Sequence, residues 1–182
     1  FQLLASRLLN PHFGSSIVVW AWLISTFLAA FSAGSMIGGS ISNLPAASRR
    51  KAAGIGAVVA VVTLALVAVF GRPLLAAIET TFTDVSVAIA VSCVGIFVLP
   101  VTALSTFGPQ CVRFLASRGT PPGKASGVVY GVSTLGNIAG VMLTAFVLIP
   151  NLRVSTLLQL WLAVAVVSLV VLLRLLRSAP AE

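Results

Sequence analysis

No charged residue lies between Asp84 and Arg113, and none lies between Lys124 and Arg153. Residues 52–71 and 154–173 are shorter runs that are just as clean, and His12 to Arg49 is a third such gap. A bilayer core about 30 Å thick is crossed by roughly 20 apolar helical residues. Five stretches meet that length, and the pattern predicts spans at about 17–38, 52–71, 85–112, 126–149 and 154–173. Backbone groups in hydrocarbon must be satisfied within a helix or a closed barrel, and no stretch shows the alternation of barrel strands. The predicted fold is therefore all-α: a polytopic transmembrane helix bundle forming a single domain over 1–182.

The punctuation between these runs sets the expected boundaries. Residues 1–9 are too short to span and read as the C-terminal part of a preceding helix. Asn10-Pro11 should break it, because proline disfavours helix at the residue before it. Trp20 and Trp22 sit near the start of the first complete span, where indole rings favour the membrane interface. Residues 72–84 contain Pro73, Glu79 and Asp84 and are expected to form a connection, part of it an interfacial helix. The long run that follows carries Pro100 and Pro109, which predicts a tilted, kinked helix or one that continues past the membrane. Arg118-Gly-Thr-Pro-Pro-Gly-Lys124 has turn composition. Pro150 is expected to stop the fourth complete span, with residues 178–182 left as a short tail.

Composition agrees with a bilayer protein. Of 182 residues, 59% are hydrophobic and 8% charged, against about a quarter charged in soluble domains. The net charge of +8 would suit nucleic acid only if the cations formed a patch. They lie instead at the ends of apolar runs, as topology anchors beside anionic headgroups, so no nucleic-acid partner is expected. Arg49, Arg50, Lys51, Arg113, Arg118, Lys124, Arg174 and Arg177 fall on one side, and Arg7, Arg72 and Arg153 on the other. The positive-inside rule then places the richer side, with the C-terminus, in the cytoplasm, and the expected location is a bacterial cytoplasmic (inner) membrane.

Candidate chemistry is sparse. The five predicted spans contain no Asp, Glu, Lys, Arg or His. Proton-coupled carriers keep an ionisable group in the membrane to load and unload the ion. His12 is the single histidine, too few for two axial haem ligands, and there is no Cys/His cluster for a metal. Cys93 and Cys111 stand about 27 Å apart along a straight helix, beyond disulfide reach. No catalytic residue, cofactor or metal site is expected. Two small-residue motifs, Gly34-Ser-Met-Ile-Gly38 and Gly136-Asn-Ile-Ala-Gly140, permit close approach of helix backbones. They serve either packing inside the bundle or docking of another subunit. Asn137 is expected to be a buried amide bonded to a neighbouring helix, with substrate contact as the other reading.

Three stretches together resemble the membrane part of fused spermidine synthases and spermidine synthase-like membrane proteins. They are Ser6-Arg-Leu-Leu-Asn-Pro-His-Phe-Gly-Ser-Ser16 leading into Val18-Val-Trp20, the glycine-rich Ser25 to Gly39, and Tyr130-Gly-Val-Ser-Thr-Leu-Gly-Asn-Ile-Ala-Gly140 ending in Phe146-Val-Leu-Ile-Pro150. The family usually has tyrosine where His12 stands. The resemblance spans nearly the whole chain. It implies a half-transporter-like bundle of six helices with both ends cytoplasmic, the first of them ending at Ser6-Arg-Leu-Leu9. It transfers no catalytic residue, because the soluble aminopropyltransferase domain, with its glycine-rich loop and aspartates, has no counterpart in these 182 residues.

Three functions compete on this reading. The chain is a non-catalytic membrane module that anchors or serves a separate aminopropyltransferase-like domain. Alternatively it is an accessory structural subunit of a larger respiratory or photosynthetic membrane complex. As a third possibility, it is a small carrier that dimerises to rebuild a twelve-helix pathway.

Overall fold

The computed structural model describes residues 1–177, so the expected tail lies outside the described residues. Those residues contain helices and connections with no strand. In chain order the helices are α1 (Gln2–Phe13), α2 (Ile17–Ser42), α3 (Ala46–Thr81), α4 (Val85–Ser105), α5 (Phe107–Ala116), α6 (Pro122–Leu143), a π-helical turn (Thr144–Leu148), α7 (Ile149–Asn151) and α8 (Val154–Arg177). Five helical stretches are long and apolar enough to cross a membrane: Ile17–Ser42, Ala46–Thr81, Val85–Ala116, Pro122–Asn151 and Val154–Leu176. The chain is, on this ground, an all-α integral membrane protein.

Several boundaries differ from the sequence expectation, each for a local reason. α1 runs through Asn10-Pro11 and ends at Gly14, whose φ of 71° leaves the helix and whose N–H donates to the Asn10 carbonyl. Proline near a helix end removes one hydrogen bond, and the helix survives until a residue that tolerates left-handed backbone ends it. α3 does not stop at Gly71. It continues through Arg72 and Pro73 to Thr81, so the supposed connection of residues 72–84 is mostly helix. Its 36 residues rise about 54 Å, well beyond the hydrocarbon. Leu75 is fully buried on that extension and Ile78 packs against the same core, which holds the extra turns in place.

The long run after Asp84 is divided at Thr106 into α4 and α5. Pro109 causes the division. Its missing N–H would have bonded the carbonyl four residues back, on Ser105, which is the last residue of α4. Pro100, by contrast, is buried inside α4 without ending it. Pro150 likewise fails to stop its helix at once. Beforehand the backbone slips into the π-helical turn, where Ile149 N–H donates to Thr144 O, and the chain leaves helical geometry only at Leu152.

α4 is the central element, with half of its apolar window buried. Its two buried edges, carrying Ala88, Ser92, Phe97 and Val101 among others, face α2 and α3. Buried positions on α2 recur at Val19, Leu23, Thr26, Ala30, Gly34, Gly38 and Ser42, a single stripe at helical spacing. Side chains shrink along that stripe, so α2 and α4 converge toward one end. Buried residues of α3 shrink in the opposite chain direction, from Leu75 and Val67 to Ala60, Ala57 and Ala53. Two cores result. One, at the wide end, gathers Leu4, Leu8, Leu23, Phe97 and Leu157, with Phe1 stacked on Trp161 at 4.6 Å. The other, at the narrow end, gathers Ala53, Ala57, Ala103, Phe107 and Leu169.

Asp84 caps α4, its carboxylate accepting from Ser86 N–H at 2.7 Å and Val87 N–H at 3.3 Å. The sequence analysis placed it in the connection of residues 72–84 and gave it no capping role. Asp84→Ala should lower stability by about 1 kcal/mol, the usual cost of an N-cap, with Asp84→Asn recovering most of it. Unfolding of the two variants in one detergent, compared at matched conditions, checks this.

Candidate helix-docking interface

Gly34 and Gly38 lie where α2 meets the end of α4. A Cβ added to Gly34 would collide with the Thr102 carbonyl oxygen and stand 2.7 Å from Ser105 Cβ. One added to Gly38 would collide with the Thr106 carbonyl oxygen and stand 2.8 Å from its Cα. Only glycine lets the backbones approach this closely. Gly39, one position on, would meet nothing within 4 Å. This motif is used inside the bundle.

The seam around it is polar but mostly self-satisfied. Ser42 Oγ donates to Gly38 O at 2.8 Å, Ser105 Oγ to Val101 O at 2.7 Å and Thr106 Oγ1 to Ala103 O at 2.7 Å. Each hydroxyl returns to its own helix, so the contact between helices rests on backbone proximity. Gln110, on α5, is 2% exposed and donates from Nε2 to Thr106 O at 3.0 Å, while its Oε1 is buried without a donor. This is the buried amide of the bundle, and the sequence reading did not single it out. The signal was available: Gln110 is the lone side-chain amide in the predicted span 85–112.

Asn137, expected to be buried, is exposed, and so are Gly136 and Gly140. A Cβ at either glycine would meet nothing within 4 Å. The second motif therefore has no partner among the described residues, and the expectation that Asn137 bonds a neighbouring helix is corrected. α6 touches α5 near its start, where Ala125 is fully buried, and beyond it Leu148 and Ile149 return to the wide-end core. Between these two points the helix stands clear. None of the 18 residues in its apolar window is buried, against 22 to 50% in the other four spans.

That uncovered helix has an ordered face. Ser126, Tyr130, Ser133, Asn137, Gly140 and Thr144 follow one another at spacings of four and three residues in alternation. This is the heptad seam of helices that cross at a shallow angle, here filled with small and polar groups rather than Leu and Ile. In lipid such a stripe loses the contacts and hydrogen bonds that a second helix would supply.

The basic residues gather toward the narrow end. Arg49, Arg50 and Lys51 open α3, just before Ala53 of the narrow-end core. Arg113 lies in the last turn of α5, Arg118 places its guanidinium 4.5 Å from the Phe114 ring centroid, and Lys124 lies in the first turn of α6. Arg174 follows Leu172 and Leu173, which pack on that same core, and Arg177 ends α8. At the other end His12 Nδ1 donates to Glu79 Oε2 at 2.6 Å, tying α1 to the extension of α3 across 67 positions of sequence. As an exposed pair it is worth about 0.2–1 kcal/mol. Its geometry is that of a clamp between two helix ends.

An apolar cleft of about 310 Å³ opens between the α4–α5 junction and α8, lined by Leu104, Phe107, Trp161, Val164, Ser168 and Leu172. It offers volume and dispersion contact, with one hydroxyl for direction. Among the described residues no three of His, Cys, Asp and Glu converge on a metal-sized site. What the arrangement supplies is surfaces: a closed glycine seam inside the bundle and an open small-polar stripe on α6. No protein-family model, no curated protein and no solved structure matches this chain.

Proposed function

We propose that this chain is a non-catalytic membrane module that works through helix–helix contact, with the Ser126-to-Thr144 face of α6 as its docking surface. One observation carries the reading: α6 alone among the five long apolar helices has no buried residue in its apolar window, yet it bears a heptad stripe of small and polar groups. Residues facing only lipid have no reason to be glycine, serine and asparagine at that spacing, because leucine or valine is better solvated there. The occupant is another apolar helix, belonging to a membrane subunit or to the membrane anchor of an aminopropyltransferase-like enzyme. The resemblance to spermidine synthase-like membrane proteins favours the latter. A photo-crosslinkable residue at Ser133 should capture a membrane-embedded partner in native membranes, whereas the same group at Val128, on the opposite face, should not. Equal labelling from both faces, or lipid adducts alone, would remove the docking reading.

The same proposal sets the narrow, basic end in the cytoplasm of a bacterial cell, by the asymmetry of Lys and Arg. A cysteine at Ser48 should react with an impermeant maleimide only after the membrane is opened, in a background lacking Cys93 and Cys111. Labelling in intact cells would reverse the orientation.

A further inference from the structure

We infer that α5 is a hinged arm with two seatings on α2, and that Ser42 and Gln110 form the latch between them. The helices run in the same direction and in register. Gly34 meets Thr102, and one turn later Gly38 meets Thr106. The next turn brings Ser42, the last residue of α2, level with Gln110 on α5. Both side chains are buried, and α5 packs along α2. Gln110 directs its Nε2–H to the Thr106 carbonyl at 3.0 Å, and its Oε1 meets no donor among the described residues. Ser42 Oγ donates at 2.8 Å to the Gly38 carbonyl. That carbonyl also accepts the Ser42 backbone N–H, one helical turn on within α2. The hydroxyl is therefore redundant in its present bond, while across the seam a buried oxygen lacks a donor. A buried acceptor left unpaired costs more free energy than a typical hydrogen bond returns. Turning the hydroxyl from Gly38 O to Gln110 Oε1 joins α2 to α5 and breaks no helix bond.

The break before α5 gives the arm its freedom. The chain divides at Thr106, and Pro109 brings no N–H to the end of α4. Gly108 faces open space, since a Cβ there would meet nothing within 4 Å. The buried residues of α5 are Phe107, at the hinge, and Gln110. Residues 111–116 are each half-buried. Beyond the hinge the deepest hold on α5 is therefore Gln110, and pairing its Oε1 with Ser42 fixes the arm. Without that pair α5 rolls about Thr106 and carries with it the start of α6, which rests on it. The latch requires no partner on α6, so its test is separate from that of the docking face.

Two native thiols read the seating. Cys111, half-buried and next to Gln110, reports on α5, and Cys93, fully buried on α4, reports on the bundle. The full chain in detergent is pulsed with N-ethylmaleimide, and mass spectrometry follows each thiol separately. Ser42→Ala should raise the Cys111 rate roughly threefold, the factor for an average hydrogen bond between membrane helices, and leave Cys93 unchanged. A serine that serves only its own helix would be replaced without effect, and an unchanged Cys111 rate overturns the latch. A parallel rise at Cys93 would show general loosening and overturn it as well. Gln110→Met, close in shape and lacking the amide, should raise the Cys111 rate at least as much. Adding Ser42→Ala to it should then change nothing further, because both variants open the same bond. Effects that multiply would give the two side chains separate roles and overturn the pairing. Should Gln110→Met fail to fold, Ser42→Ala alone decides.

Discussion

Gly38→Ala should destabilise the isolated protein by about 1–3 kcal/mol, the range for overpacked interiors, and Gly34→Ala with Gly38→Ala by more. The new methyl groups would enter the backbone of Thr102 and Thr106, which cannot rotate away as a flexible side chain can. Relief requires α2 to move off α4 along the narrow half of the bundle, with loss of contacts on both sides. The intrinsic helix preference for alanine over glycine, about 1 kcal/mol, acts in the opposite direction and is outweighed. Gly39→Ala is the control. It brings the same gain in helix preference without a neighbour to strike, so it should be neutral or slightly stabilising. Equilibrium unfolding of the three variants in one detergent distinguishes the outcomes, and equal behaviour of Gly38→Ala and Gly39→Ala would contradict the close approach.

Gly136→Leu with Gly140→Leu should leave the isolated bundle as stable as before and abolish partner recovery from native membranes, by tenfold or more. A Cβ at either position meets nothing within 4 Å among the described residues, and removing glycine from a helix carries no internal penalty. On the docking face, however, two leucine side chains would hold a second helix away from the backbone that the glycines expose. Asn137→Ala should do much less, since hydrogen bonds between membrane helices average about 0.6 kcal/mol, or less than threefold in affinity. Thermal stability of the purified variant and quantitative copurification are read together. A destabilised monomer would show that α6 packs within its own bundle. If the double leucine variant kept its partner while Asn137→Ala abolished transport in vesicles, the carrier reading would take over.

The two glycine motifs show how far sequence reading reaches. Gly34-xxx-Gly38 and Gly136-xxx-Gly140 have the same spacing and lie in equally apolar surroundings. In the fold one is closed against Thr102 and Thr106, and the other stands open. A small-residue motif states that a backbone can be approached, and the approaching element comes from elsewhere in the chain or from another molecule. The amides follow the same rule. Asn137 lies mid-span and is exposed, while Gln110 lies near a predicted kink and is buried, because α5 turns inward against α2 after the break at Thr106. His12 and Glu79 meet only once α1 has folded back along α3.

Helix ends were misplaced in one direction. The span predicted at 52–71 belongs to a helix from Ala46 to Thr81, and that predicted at 126–149 to a helical stretch from Pro122 to Asn151. Hydropathy marks where hydrocarbon ends, and a helix continues past that plane for as long as its hydrogen bonds and side contacts hold. Pro11, Pro73 and Pro150 each remove one donor without ending a helix that a neighbour supports.

By itself the sequence determined that the chain is helical, how many helices can cross a bilayer, and which ends carry the positive charge. Those properties follow from the transfer of side chains and backbone groups into lipid, which each segment undergoes on its own. Tertiary structure alone decided which glycine motif is closed, which amide is buried, that Asp84 caps α4 and that α6 is left uncovered. Within the membrane one apolar face is as well solvated as another. Choosing between faces falls to shape and close backbone contact, and these exist only once the helices stand together.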